Sequence, residues 1–210
     1  MRSGFVAVAL VIAAGQPALA QAPAQPSLIL DCAAFPKSMD EAALVKRFGR
    51  ENVVSAVLDG AEGSTERGTV LYPKDPARRL EVYWHDADKR RRPSSFAVKG
   101  RSEWLVRGPG TARPTIGLRA SVAEVEEANE RPFTLTGFGW DMGGYASGWK
   151  GGRLDAMPGG CFVTVRFNPD PKARDRDVAK VSGDKQFGSA APGIRAVKPV
   201  VSVLTLDWPE

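Results

Sequence analysis

The chain has 210 residues, a formal net charge of +5 and 43% hydrophobic residues, enough length and apolar content to bury roughly 70% of its unfolded surface in a packed body. That excludes disorder for most of its length. The basic excess is small against 24 acids, and with no element that interleaves clustered Lys and Arg with aromatic residues it excludes a nucleic-acid binder.

The N-terminus reads as a secretory signal peptide. Arg2 supplies the positive charge, Phe5 to Ala14 is an unbroken apolar run, and Pro17-Ala18-Leu19-Ala20 ends it with the small residues that a signal peptidase reads, so cleavage is expected after Ala20. Ten apolar residues span only about 15 Å as a helix against about 30 Å of hydrocarbon, and no later run is longer, so a membrane-spanning protein is not expected. The first cysteine, Cys32, lies beyond a Gln, Ala and Pro stretch at 21–27 rather than at the cleavage site, which argues against a lipid anchor. The expected location is the periplasm or the medium. Removing residues 1–20 removes one arginine and no acid, so the formal charge falls from +5 to +4.

In that oxidising setting Cys32 and Cys161 are expected to form one disulfide, the alternative being a pair of buried free thiols. Two cysteines and one histidine do not make a zinc site.

Ser38-Met39-Asp40-Glu41 has the form of a capping box and opens a helix predicted over 39–48, with Ala42, Leu44, Val45 and Phe48 at helical spacing and Gly49 at its end. Strands with period-two alternation follow at 52–58, 69–72, 79–85 and 94–99, the third carrying Leu80, Val82 and Trp84 on one face. Ser121-Val122-Ala123-Glu124 repeats the capping signature before Val125 and Ala128, and strands are predicted again at 133–140, 145–149, 161–167 and 199–208. The expected fold is α+β, two tandem repeats of a helix followed by an antiparallel sheet. The halves cover 28–106 and 115–210, joined by a Gly/Pro linker at 107–114, and the second half contains a long loop at 168–193 around one short segment at 181–187.

The helices SMDEAALVKRFG and SVAEVEEANERP and the meanders after them resemble, in topology, the β-lactamase inhibitor proteins and the outer-membrane assembly lipoproteins of the small-protein-A type. The stretch RPFTLTGFGWDMGGYASGWKGGRL resembles a set of uncharacterised secreted bacterial proteins with Gly-Phe-Gly-Trp-Asp followed by Gly-Gly and a Trp-rich hairpin. These resemblances imply the fold and action by surface contact, and they carry over no catalytic residue.

Chemistry is sparse. His85 has no Gly-x-Ser-x-Gly serine to serve, the cysteines have no base near them in sequence, and Glu103, Asp141 and Asp155 are one of many carboxylate triples that 24 acids allow. Asp170, Asp175 and Asp177 lack the turn glycine of a calcium loop. No catalytic residue, cofactor or metal is expected. Lys89, Arg90, Arg91 and Arg92 form a basic run between two strands, either a patch for anionic groups or a solubilising turn. Phe138, Trp140, Tyr145 and Trp149 lie among six glycines, either as core rings or as a recognition surface, since large rings with polar tips are enriched at interfaces. The expected function is binding or envelope assembly. The contact surface would carry Tyr145, Trp149 and Trp140, with Trp84 and Trp104. The partner would be an envelope or secreted protein, with polysaccharide or peptidoglycan binding through the same rings, or inhibition of a secreted hydrolase, as alternatives. N-terminal sequencing of the exported protein is expected to begin at Gln21, and an uncleaved N-terminus would overturn the signal-peptide reading.

Overall fold

The computed structural model describes residues 28–60, 63–109 and 115–210. The signal segment 1–20, the stretch 21–27 and residues 110–114 of the linker lie outside the described residues.

Alternating apolar and polar residues produce the main sheet. Its strands are β2 (Val53–Asp59), β3 (Thr65–Leu71), β4 (Leu80–Asp86), β5 (Arg91–Lys99), β10 (Phe162–Asn168) and β12 (Val200–Asp207), all antiparallel in the order β10-β12-β5-β4-β3-β2. Its register aligns Val163, Leu206, Phe96, Val82, Thr69 and Ser55 in one row on the inner face. The next row, Thr164, Thr205, Ala97, Glu81, Val70 and Val54, lies on the outer face because successive side chains alternate. A meander of four consecutive strands is thus extended by two strands from the second half, with β12 between β10 and β5.

Two small sheets complete the strands: β1 (Ile29–Leu30), β6 (Leu105–Arg107) and β7 (Thr115–Ile116), with β1 parallel to β6, and β8 (Thr134–Thr136), β9 (Ala146–Gly148) and β11 (Gln186–Gly188). The arms flanking the Gly/Pro linker pair with each other, Val106 with Ile116 and Arg107 with Thr115. With helices α1 (Glu41–Phe48), α2 (Val122–Asn129), α3 (Asp175–Lys180) and α4 (Pro192–Ala196), the described residues form an α+β fold.

Helix α2 starts as expected: Ser121 caps the Glu124 amide while the Glu124 carboxylate accepts from the Ser121 amide. Helix α1 does not start at Ser38. Asp40 is its cap, accepting from the Ala43 amide at 2.8 Å, because Glu41 is drawn to the sheet by the hydroxyls of Thr69 (2.9 Å) and Ser55 (3.2 Å) and by Arg90. The expected long loop at 168–193 holds α3, β11 and α4, elements too short to leave a periodic pattern. Asp177 holds α3 together by pairing with Arg174 (2.6 Å) and Lys180 (3.1 Å).

The inner face packs against an aromatic cluster: Phe35 lies 5.0 Å from Phe96 and 5.9 Å from Trp104, and Phe48 lies 6.0 Å from Trp104 and 5.9 Å from Tyr72, ring centroid to centroid. Each buried indole has a hydrogen-bond acceptor, as burial requires: Trp104 donates to Arg78 O (2.7 Å), Trp84 to Thr69 Oγ1 (3.0 Å) and Trp208 to Phe35 O (3.0 Å). Trp84 and Trp104, 3% and 0% exposed, are core residues and are removed from the expected contact surface.

Cys32 and Cys161 form the disulfide, with Cα atoms 5.7 Å apart. It fastens the segment after β1 to the start of β10 across 129 positions. A Cys32→Ser/Cys161→Ser variant is expected to lose about 2–5 kcal/mol of stability, read from the urea midpoint, and an unchanged midpoint would show that the crosslink contributes nothing.

Candidate functional site

The inner face of the main sheet is packed against the core except at the β2–β3 edge, where Ser55, Val57 and Arg67 are exposed, so the outer face is where its central strands meet solvent. Along β4 the alternation that sends Leu80, Val82 and Trp84 inward sends Glu81 and Tyr83 outward, and β5 sets Ser95, Ala97 and Lys99 beside them. Tyr83 packs with Leu58, Val70 and Ala97 in a small second cluster on this face, and Leu58 lies against Gly68 of β3. Gly68 has to be glycine: a Cβ there would come within 2.3 Å of Leu58 Cδ1 and 2.7 Å of the Val82 carbonyl.

Polar side chains interlock around that ring. Lys99 Nζ donates to the Tyr83 hydroxyl at 2.9 Å and pairs with Glu81 Oε2 at 3.0 Å, Arg79 meets the other Glu81 oxygen at 2.9 Å, and the Tyr83 hydroxyl donates to Asp59 O at 3.0 Å. Burial works to raise the Glu81 carboxyl, but hydrogen bonds from Arg79 and Lys99 outweigh it and hold the group below its ordinary value. Burial works to lower the Lys99 ammonium, and its hydrogen bonds to Tyr83 and Glu81 outweigh that and hold it above its ordinary value. Burial raises the Tyr83 phenol, and Lys99 only partly offsets this. An ammonium has three N–H donors, so with two described partners and a side chain 37% exposed, Lys99 retains a donor for solvent or a ligand.

The glycine-rich segment supplies the other wall. Gly144, at φ +79°, lies so close to β10 that a Cβ would come 2.1 Å from the Phe167 carbonyl, and its own carbonyl accepts from the Phe167 amide at 2.8 Å. This close approach stands Tyr145 beside the sheet. Thr136 Oγ1 accepts from the Tyr145 amide at 3.0 Å, and the Arg166 guanidinium, held by Gly143 O (3.0 Å) and Asp141 O (3.2 Å), lies 5.0 Å from the Tyr145 ring centroid. Between the two tyrosines is an open depression of about 360 Å³, lined among others by Tyr83, Ala97, Lys99, Tyr145, Val203 and Thr205. Beside it, Thr205 and Thr164 both donate to Asp207 Oδ2 at 2.6 Å.

Of the expected recognition rings, only Tyr145 lines this depression. Trp149 packs on Phe133 at 5.2 Å against the core, and Trp140 closes its own turn by donating to Gly137 O at 2.9 Å. Phe138 is buried. Of the basic run, Lys89, Arg91 and Arg92 are exposed, whereas Arg90 is committed to Glu41 and its carbonyl accepts from the Glu41 amide. That run therefore braces the start of α1. His85 Nε2 is 2.9 Å from the Trp208 carbonyl. Sequence reading missed Tyr83, Glu81, Lys99 and Arg166, although the alternation that pointed Trp84 inward also pointed Tyr83 the other way.

A larger depression of about 460 Å³ near the end of α2 is lined by polar groups that its own fold occupies. Asn129 bonds Arg131 O, Trp149 O and the Leu154 amide, and Arg153 pairs with Glu130. Among the described residues no three His, Cys, Asp or Glu side chains converge as a metal site. No family model matches this chain, and neither a curated protein nor a solved structure matches it.

The ion cluster makes stability pH-dependent with a defined sign. The lowered Glu81 value contributes stability above the unfolded-state pKa of about 4.3, lost as pH falls through the folded value. The raised Lys99 value contributes below about 10.4 and is lost as pH rises through the folded value. Glu81→Gln is expected to flatten the acid limb of the stability curve and, leaving both cations without their carboxylate, to cost about 1–2 kcal/mol at neutral pH. Urea titrations from acid to neutral pH check this, and an unchanged acid limb would contradict it.

Proposed function

We propose that this chain is a non-catalytic binding or envelope-assembly protein acting outside the cytoplasm, and that the outer face of its main sheet around Tyr145 is the contact surface. The observation that carries this reading is the pairing of Tyr145 with Arg166 at the rim of a depression whose opposite wall is Tyr83 and Lys99. Tyrosine and arginine, with tryptophan, are the residue types enriched among the anchors of protein interfaces. Hydroxyls of Thr205, Ser94 and Ser95 around them supply satisfiable polar contacts rather than a reacting centre. The disulfide suits an oxidising compartment, and no described helix is long and apolar enough to cross a membrane. The likeness of the 131–154 stretch to secreted bacterial proteins points the same way.

A second reading rests on the same depression: a tyrosine face flanked by hydroxyls and one ammonium also suits a sugar ring of an envelope polysaccharide or peptidoglycan. Cross-linking capture from envelope extract with residues 21–210 separates the two. Tyr145→Ala and Val203→Arg, each first shown to keep the wild-type melting curve, are expected to lower capture of one protein partner at least ten-fold. Loss of sedimentation with peptidoglycan in Tyr145→Ala, without any protein captured by the wild type, would support the glycan reading. Equal binding by wild type and both variants would remove this face from either role.

A further inference from the structure

Strand β2 is the free edge of the main sheet, and its hydrogen bonding shows which backbone groups are open. The Tyr72 amide donates to Asn52 O at 2.7 Å and the Gly60 amide to Ser64 O at 2.8 Å, with an unbroken register between them from Val53 opposite Leu71 to Asp59 opposite Thr65. Bonded pairs alternate along an antiparallel ladder. The even-numbered residues of β2 therefore bond β3, and the amides and carbonyls of Ser55 and Val57 point away from the sheet, where no described strand pairs with them.

Edge strands are ordinarily blunted by lysine, proline, a bulge or an inward charge. The β2 sequence VVSAVLD has none of these before its terminal Asp59, and no register shift interrupts it. Val54 and Val57 are 43% and 70% exposed, two of the four large apolar side chains that are exposed among the described residues. From Val53 to Leu58 the strand is uncharged, so the +5 of the whole chain produces no direct like-charge contact between two such edges.

We propose that a second copy of this chain docks on β2, antiparallel, about a two-fold axis through Ala56. In that register Ser55 and Val57 of one copy exchange their open backbone bonds with Val57 and Ser55 of the other. Val54 lies opposite Leu58, Ala56 faces its equivalent, and Val53 lies opposite Asp59, so no like charges meet; Val54 gains an apolar neighbour directly across, while Val57, opposite Ser55, has Val53 and Val57 of the other copy as diagonal neighbours. The strand is self-complementary in the sense an isologous interface requires, and the two main sheets become one. An unrelated extended peptide would satisfy the same backbone groups, but nothing on this edge selects a charged or specially shaped side chain from it, whereas its own sequence sets Val54 against Leu58 and Ala56 against Ala56 along the outer face and brings no charge against a like charge on the other. The contact is of the small size class, so the dimer is expected to be concentration-dependent.

Sedimentation equilibrium of disulfide-intact residues 21–210, from about 1 µM to about 500 µM, is expected to show a reversible monomer–dimer equilibrium. Val57→Lys should weaken it at least ten-fold while the melting temperature stays at the wild-type value, since that side chain is solvent-exposed in one copy. Ala56→Cys should yield a disulfide-linked dimer on air oxidation. A single-chain mass throughout the range, or an unchanged equilibrium in a folded Val57→Lys variant, overturns the proposal, and failure of Ala56→Cys to crosslink overturns its register. A monomeric wild type that binds a strand peptide of different sequence overturns it in favour of a different protein at this edge.

Discussion

The insertion of β12 between β5 and β10 is the constraint on which the rest depends. Without it the long β5 edge, from Ser95 to Lys99, has no partner, and the inner row of the sheet breaks where Leu206 joins Phe96 to Val163. Closing a chain segment of this length costs conformational entropy before any contact repays it, and several links secure the result. The Trp208 indole donates to Phe35 O, the Trp208 carbonyl meets His85, Val201 exchanges backbone bonds with Arg119 and Ala120 at the entry to α2, and the disulfide ties the segment after β1 to β10. The N-terminal segment, the first meander and both ends of the second half are therefore held to one strand.

With the inner face committed to an aromatic core, the outer face acquires its character by elimination. Residues there are mixed: Leu58, Val70, Tyr83 and Ala97 are buried against one another, and Glu81 and Lys99 beside them are partly covered. This burial is why Glu81, Tyr83 and Lys99 bond one another beside the depression. Gly144 serves the same geometry from the other side, since only a residue without a side chain can lie so close to β10 beside Tyr145, while Gly143 is needed by the turn itself, where a Cβ would meet the Gly137 and Trp140 carbonyls at 2.9 Å. Glycine abundance and aromatic content in that segment are thus one structural device: close backbone approach places a ring.

Part of the charge on this molecule is spent internally. Arg90 stands in a run that reads as a solvent-facing patch, yet it reaches Glu41 at the start of α1, whose carboxylate also accepts from Thr69 and Ser55. One carboxylate therefore joins a helix, two strands and a hairpin turn, and it does so at the expense of the local capping arrangement that Ser38 would have made. Asp40 takes over the cap because its side chain is the next one able to reach a free first-turn amide.

The sequence by itself determined the features that local physics decides: the α+β class, the strands of the first meander with Leu80, Val82 and Trp84 on one face, and the Ser121 capping box, because periodicity and capping act within a few residues. It did not determine which strands are neighbours, since a buried alternating strand is compatible with several edges and only competition among them puts β12 between β5 and β10. The short helices of 168–193 escaped for a related reason: a helix of one or two turns has no stable identity until other elements pack on it. Trp84, Trp104 and Tyr145 are all large aromatic residues with a polar tip, and nothing local separates them. Burial is a property of what lies above a face, so tertiary packing alone sent two of these rings into the core and left the third at the rim of an open depression.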